Sequence, residues 1–138
     1  MADIRPRHDL TAAEVDDLED RLYAYNVEAT GYDDGAGLGF FVEEAGELIA
    51  AVAGYTWGGI CEVRQLWVAA SHRHKGLGAQ LLEAAIAEAS ARGCAHLQLA
   101  TYDFQAPAFY ARHGFEIVAD VPDKPLGHTE FVMRRVLG

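Results

Sequence analysis

The chain has 138 residues with 51% hydrophobic and 23% charged side chains, enough apolar surface for one globular domain spanning residues 1–138 and too little length for multidomain machinery. Its 21 acidic against 11 basic residues give a formal charge of −10, which repels a phosphate backbone over any broad surface and argues against nucleic acid as a partner. No run of 18 apolar residues occurs and residues 1–6 lack the apolar core of a signal peptide, so no membrane partner and a cytoplasmic location are expected.

A short strand is expected around Ile4. Residues 10–29 then read as a helix with Thr11 as N-cap and Glu14 completing a capping box, and Val15, Leu18, Leu22 and Tyr25 on one face. Gly31, Gly35, Gly37 and Gly39 break the pattern into a flexible loop, and residues 38–43 resume as a strand. A turn at 44–47 leads into a strand over 48–57, and Gly58-Gly59 turns the chain into a third over 60–69. From Gly76 the period lengthens: Leu77, Leu81, Leu82, Ala85, Ile86 and Ala89 mark a helix face that ends at Arg92-Gly93. A strand over 96–101, a helix over 105–113 closed by Gly114, and strands over 115–119 and 131–136 complete the order, which describes an α+β fold around a mixed, mostly antiparallel sheet. The exposed edges of such a sheet suit a homodimer.

The strongest local signal is the segment 71–79, Ser-His-Arg-His-Lys-Gly-Leu-Gly-Ala, between a strand and an amphipathic helix. Glycines at a helix N-terminus let backbone N–H groups approach an anion, and Arg73 and Lys75 place positive charge there in an otherwise acidic protein. A phosphate-bearing ligand fits this loop; an ordinary Gly-containing helix cap is the plainer alternative. Neither better-known phosphate loop matches: Lys75 precedes Gly76 and no hydroxyl follows, and Leu81 stands where a dinucleotide fingerprint needs its third glycine.

Arg73, Gly76 and Gly78 form Arg-x-x-Gly-x-Gly after the strand residues Leu66-Trp67-Val68, and a second block follows with Ala106, Phe109, Tyr110 and Gly114-Phe115. Together, over residues 60–118, they resemble the acyl-CoA loop and second block of the GNAT superfamily of N-acetyltransferases. The resemblance implies a GNAT-like sheet splayed at the CoA-binding strand, acetyl-CoA as the acetyl donor, and a donor site drawn from Leu66, Trp67, Val68, Arg73, His74, Lys75, Gly76, Leu77, Gly78, Ala79, Asp103 and Phe109. Asp103 departs from the pattern, which usually has Asn there.

The same resemblance implies roles in catalysis. An amine must attack the thioester while neutral, and amines of this kind have pKa values near ~10, so a carboxylate must take up a proton. Glu62, four residues before Leu66, matches the position of the base in several family members and is expected among apolar neighbours; the alternative is a salt-bridged glutamate, with Arg64 as the partner. The Val68 N–H is the implied donor to the developing oxyanion, and Tyr110 the acid that protonates the departing thiolate. Glu62, Arg64, Leu66 and Val68 share one strand parity although two are polar and two apolar, which predicts a β-bulge near Gln65.

Residues 1–62 carry 14 Asp and Glu against 3 Arg, a net of −11, whereas residues 63–138 carry 7 acidic against 8 basic residues, a net of +1. The first half builds much of the acceptor side in the resembled family, so Asp16, Asp17, Glu19, Asp20, Asp33 and Asp34, with aromatic walls from Tyr23, Tyr25, Tyr32, Tyr55 and Trp57, point to a small cationic amine, such as an aminated antibiotic, as the acceptor. The rival from another class is a catalytically silent acyl-CoA-binding module. The histidines lack metal-site spacing, so no metal is expected; Cys61 and Cys94 read as reduced and structural, Phe104, Phe109 and Phe115 as core, and residues 125–129 as a loop before the last strand.

Overall fold

The computed structural model describes residues 2–138 and divides them into a first unit ending at Asp33 and a second from Asp34 to Gly138. In the first unit the helix α1 covers Ala12–Thr30. Thr11 accepts from the Glu14 backbone N–H while the Glu14 side chain accepts from the Thr11 N–H, the expected capping box, and Gly31 at φ 79° closes the other end. No strand forms around Ile4, whose flanks hold charged residues and Pro6 and which lacks any pairing partner.

The second unit is a six-stranded sheet built from β1 (Ala36–Glu44), β2 (Glu47–Trp57), β3 (Ile60–Val68), β4 (His96–Tyr102), β5 (Glu116–Pro122) and β6 (Thr129–Val136), in the order β1-β2-β3-β4-β6-β5. The helices α2 (Leu77–Ala91) and α3 (Pro107–Arg112) belong to the same unit. All neighbours are antiparallel except β3 and β4. The two-residue connections Ala45-Gly46 and Gly58-Gly59 both have positive φ at each central residue, the twist that continues an antiparallel hairpin without splaying it. Gly37 and Gly39 do not break the chain as expected from composition: both lie inside β1, opposite Tyr55 and Ala53, because ladder hydrogen bonds need the backbone and not a side chain.

The core lies between α2 and the sheet. Leu81, Leu82, Ala85, Ile86 and Ala89, the apolar face read from the sequence, are all buried, against Val52, Cys61, Val63, Leu97, Leu99 and Met133. Each fully buried Leu of this set contributes about 1.5–3 kcal/mol relative to exposure. Cys61 and Cys94 are buried free thiols, and burial pushes the Cys61 pKa up to about 11, which keeps it protonated and inert. Phe115 is core as expected, whereas Phe104 is 57% exposed.

Candidate active site

Two irregularities in the sheet open the site. The first is a bulge: Ala53 pairs with Gln65 and Gly54 with Val63, so Arg64 is an extra residue with no opposite number in β2. Its effect is a change of phase. Cys61 and Val63 point inward before the bulge, and Leu66 and Val68 point inward after it, while Glu62, Arg64, Gln65 and Trp67 are exposed. This resolves the parity conflict read from the sequence. Gly54 is what permits it, since a Cβ at that position would overlap the Glu62 carbonyl oxygen and lie 3.2 Å from the Val63 Cα.

The second irregularity is a splay. The parallel pairing of β3 with β4 covers only Ile60–Glu62 against His96–Gln98, after which the strands part. Between the parted halves lies a cleft of about 960 Å³, lined by residues 63–68 of β3, Leu99, Ala100 and Thr101 of β4, the loop before α2 with its first turn, and Phe109 and Tyr110 of α3. Ala69 donates to the Ile49 carbonyl at 2.7 Å on the β2 side. Since successive residues of an antiparallel strand turn their backbone groups to opposite edges, Val68 and Leu66 direct theirs toward the splay. The Val68 carbonyl there accepts from Arg73 Nε at 3.1 Å. The ladder thus offers the Leu66 N–H as well as the Val68 N–H, and the first of these was not singled out as a donor from the sequence.

At one end of the cleft stands the N-terminus of α2. Its N-cap is Gly76 at φ 84°, a left-handed conformation that suits glycine, and no side chain caps it. The first helical hydrogen bond is Gln80 N–H to Gly76 carbonyl, so the N–H groups of Leu77, Gly78 and Ala79 have no partner within the helix. The contrast with the fully capped α1 is chemical: these three donors and the positive end of the helix dipole stay open to an anion. Packing holds them in place, because a Cβ on Gly78 would already touch Phe109 Cζ at 3.7 Å and Val68 Cγ2 at 3.8 Å.

Of the residues singled out from the sequence, Leu66, Trp67, Val68, Arg73, His74, Gly76, Leu77, Gly78, Ala79, Phe109 and Tyr110 line this cleft. Tyr110 packs edge-on to Phe109 and Phe115, and burial raises its pKa above the ordinary 10.0. Lys75 is not among the lining residues. Glu62 departs from its expected apolar setting: its side chain is half exposed, lies outside the lining, and accepts from Arg64 Nε at 3.1 Å. Exposure follows from parity, since Glu62 stands between the inward Cys61 and Val63.

Asp103, implied for the donor site, lies outside the lining of this cleft. One carboxylate oxygen lies 2.9 Å from His128 Nδ1 and the other accepts from the Thr129 N–H at 2.9 Å, which pins the loop before β6 to the end of β4. These two contacts, that with His128 first, hold its carboxyl below the usual carboxylate range. The contact is present above that range and is lost as pH falls through the lowered pKa. In Asp103→Ala, amide exchange at Thr129 is expected to speed up at neutral pH; unchanged protection there would show that the pair pins nothing. Phe104, expected in the core, instead lines the cleft with His128 edge-on at 4.9 Å and Tyr102 stacked at 5.2 Å.

Residues 5–115 match the model of the Acetyltransferase (GNAT) family. Over 97 residues, 68% of this chain and 70% of the relative, the sequence is 42% identical to the blasticidin-S acetyltransferase of Streptomyces morookaense. Among solved structures, an acetyltransferase from Bacillus cereus superposes with a TM-score of 0.79 at 27% identity, covering 96% of this chain and 98% of that one. A Bacillus anthracis structure, assigned as a streptothricin acetyltransferase and holding acetyl coenzyme A, shares the fold with a TM-score of 0.65 at 16% identity, covering 74% of this chain and 63% of that one.

Proposed function

Since this chain belongs to the GNAT family of acetyltransferases, we propose that it moves an acetyl group from acetyl-CoA to a primary amine of a small, cationic acceptor of the antibiotic kind. That it is an acyltransferase enzyme follows from the family and from the 42% identical relative, and sets aside a silent binding module. The observation that carries the donor reading is the uncapped N-terminus of α2 opening onto the β3–β4 splay. A diphosphate fits the three open N–H groups and Arg73, and an extended chain fits the unpaired edge of β3. When bound, acetyl-CoA supplies the thioester carbonyl and the leaving thiol.

The residues of this chain then act in a fixed order. Leu66 and Val68 hold their N–H groups toward the developing negative charge on the carbonyl oxygen, where fixed donors cost no reorganisation. Glu62, directly or through a water, takes up the proton that the attacking amine loses. Its place at the start of the splay, next to the bulge, supports this role; its pairing with Arg64 supports a structural one. Tyr110 gives its proton to the departing sulfur and regains one from solvent; burial keeps the phenol neutral and therefore able to donate. The acceptor reading draws on the acidity of the first 62 residues and on the blasticidin-S relative.

Calorimetric titration with acetyl-CoA, followed by blasticidin S, streptothricin, polyamines and amino acids in the same cell, tests both halves. Micromolar donor binding and sustained heat with a cationic amine are expected, with a rise of about 2.7 kcal/mol in stability at 100 times the Kd of acetyl-CoA. No binding of acetyl-CoA would sink the donor reading, and turnover confined to acidic or neutral acceptors the acceptor one.

A further inference from the structure

Arg64 is the residue the bulge leaves over. It has no opposite number in β2, and it is among the residues that line the cleft, at the end where β3 and β4 begin to part. The guanidinium is held from two sides: Nε donates to Glu62 Oε1 at 3.1 Å, and the carbon at its centre lies 5.2 Å from the centroid of the Tyr55 ring. A guanidinium has two hydrogen-bonding edges, and Glu62 engages the one that includes Nε. The other, formed by Nη1 and Nη2, has no partner among the described residues. The other arginines of the cleft, Arg73 and Arg112, come from the loop before α2 and from α3, so Arg64 is the sole arginine on its strand wall among the described residues.

Taking the acetyltransferase reading above as its premise, we propose that the open edge of Arg64 receives a carboxylate of the acceptor, which makes the acceptor class an amine that also carries a carboxylate near the reacting nitrogen. Arg64 lies two residues before Leu66 on β3, and both line the cleft. A carboxylate on Arg64 therefore leaves the amine of the same small molecule within reach of a carbonyl held at the Leu66 N–H. A planar fork suits a carboxylate in a way that a lysine ammonium would not. The neighbouring Glu62 sets the charge of the guest, because its own negative charge repels a dianion such as a phosphate more than a single carboxylate. A molecule with such a group is still cationic overall if it holds two or more amines.

The test compares matched acceptors, L-lysine with L-lysinamide and L-arginine with L-argininamide, in the parent and in Arg64→Gln and Arg64→Lys, with acetyl-CoA affinity measured for each protein. In the parent, kcat/KM is expected to favour the acids over the amides by about 10- to 100-fold, the effect of one hydrogen-bonded charge contact. The preference falls to near parity in Arg64→Gln through a higher acceptor KM, and Arg64→Lys restores part of it. Acids and amides acetylated alike by the parent, or a preference that survives in Arg64→Gln, overturn the proposal. A protein that binds acetyl-CoA yet acetylates none of the four also overturns it for this acceptor class, whereas failure to bind acetyl-CoA overturns the functional reading on which it stands.

Discussion

Gly54→Ala is expected to abolish acetyl-CoA binding and to lower stability by about 1–3 kcal/mol, the usual cost of forcing extra atoms into a packed site. The added methyl would meet the Glu62 carbonyl oxygen and the Val63 Cα, both backbone atoms that no rotamer change moves aside. Relief requires β2 and β3 to separate or the bulge to flatten. Flattening shifts the register by one residue, which turns Leu66 and Val68 out of the interior and swings their N–H groups away from the splay. Gly39→Ala, in the neighbouring strand, is the control: its Cβ would find Phe41 Cε1 at 3.5 Å and the Val52 carbonyl oxygen at 3.6 Å, ordinary contacts. Thermal melts and calorimetric titration with acetyl-CoA measure both effects. A Gly54→Ala protein that binds the donor as tightly as the parent would show that the bulge does not build the site.

The bulge was legible in the sequence, but its enabling residue was not, and the difference is physical. A strand in which Glu62 and Arg64 share parity with Leu66 and Val68 cannot bury one face without slipping phase, so the conflict is visible in one segment. That Gly54 must lack a side chain depends on the Glu62–Val63 peptide lying across from it, a fact of pairing between two strands. The same division runs through the rest. The helix face of α2, its C-terminal Gly93 and both glycine turns depend on neighbours in sequence and were read correctly. The clamp of Asp103 on His128, 25 residues away, the exposure of Phe104 and the three-residue length of the β3–β4 pairing depend on long-range packing, which periodicity does not record. Glu62 lies between the two cases: its ion pair with Arg64 is local and was one of the two readings open from the sequence.

Tyr110→Phe is expected to lower kcat by about 100- to 10,000-fold, the range for a positioned general acid, while acetyl-CoA affinity and stability change little. Only the hydroxyl is removed, and the ring keeps its packing against Phe109 and Phe115. The pH profile separates this role from a structural one. Burial disfavours the phenolate, so the pKa of Tyr110 lies above its ordinary 10.0 and the donor form persists through neutral and mildly alkaline pH. Activity that depends on the neutral phenol is therefore full below the raised pKa and lost as pH climbs through it, which places the alkaline limb of kcat above pH 10 in the parent. The residual activity of Tyr110→Phe has no group to lose a proton there, so that limb disappears. Parent-like kcat in the variant would remove Tyr110 from the reaction; a low kcat with the alkaline limb intact would assign the limb, and the proton, to another group.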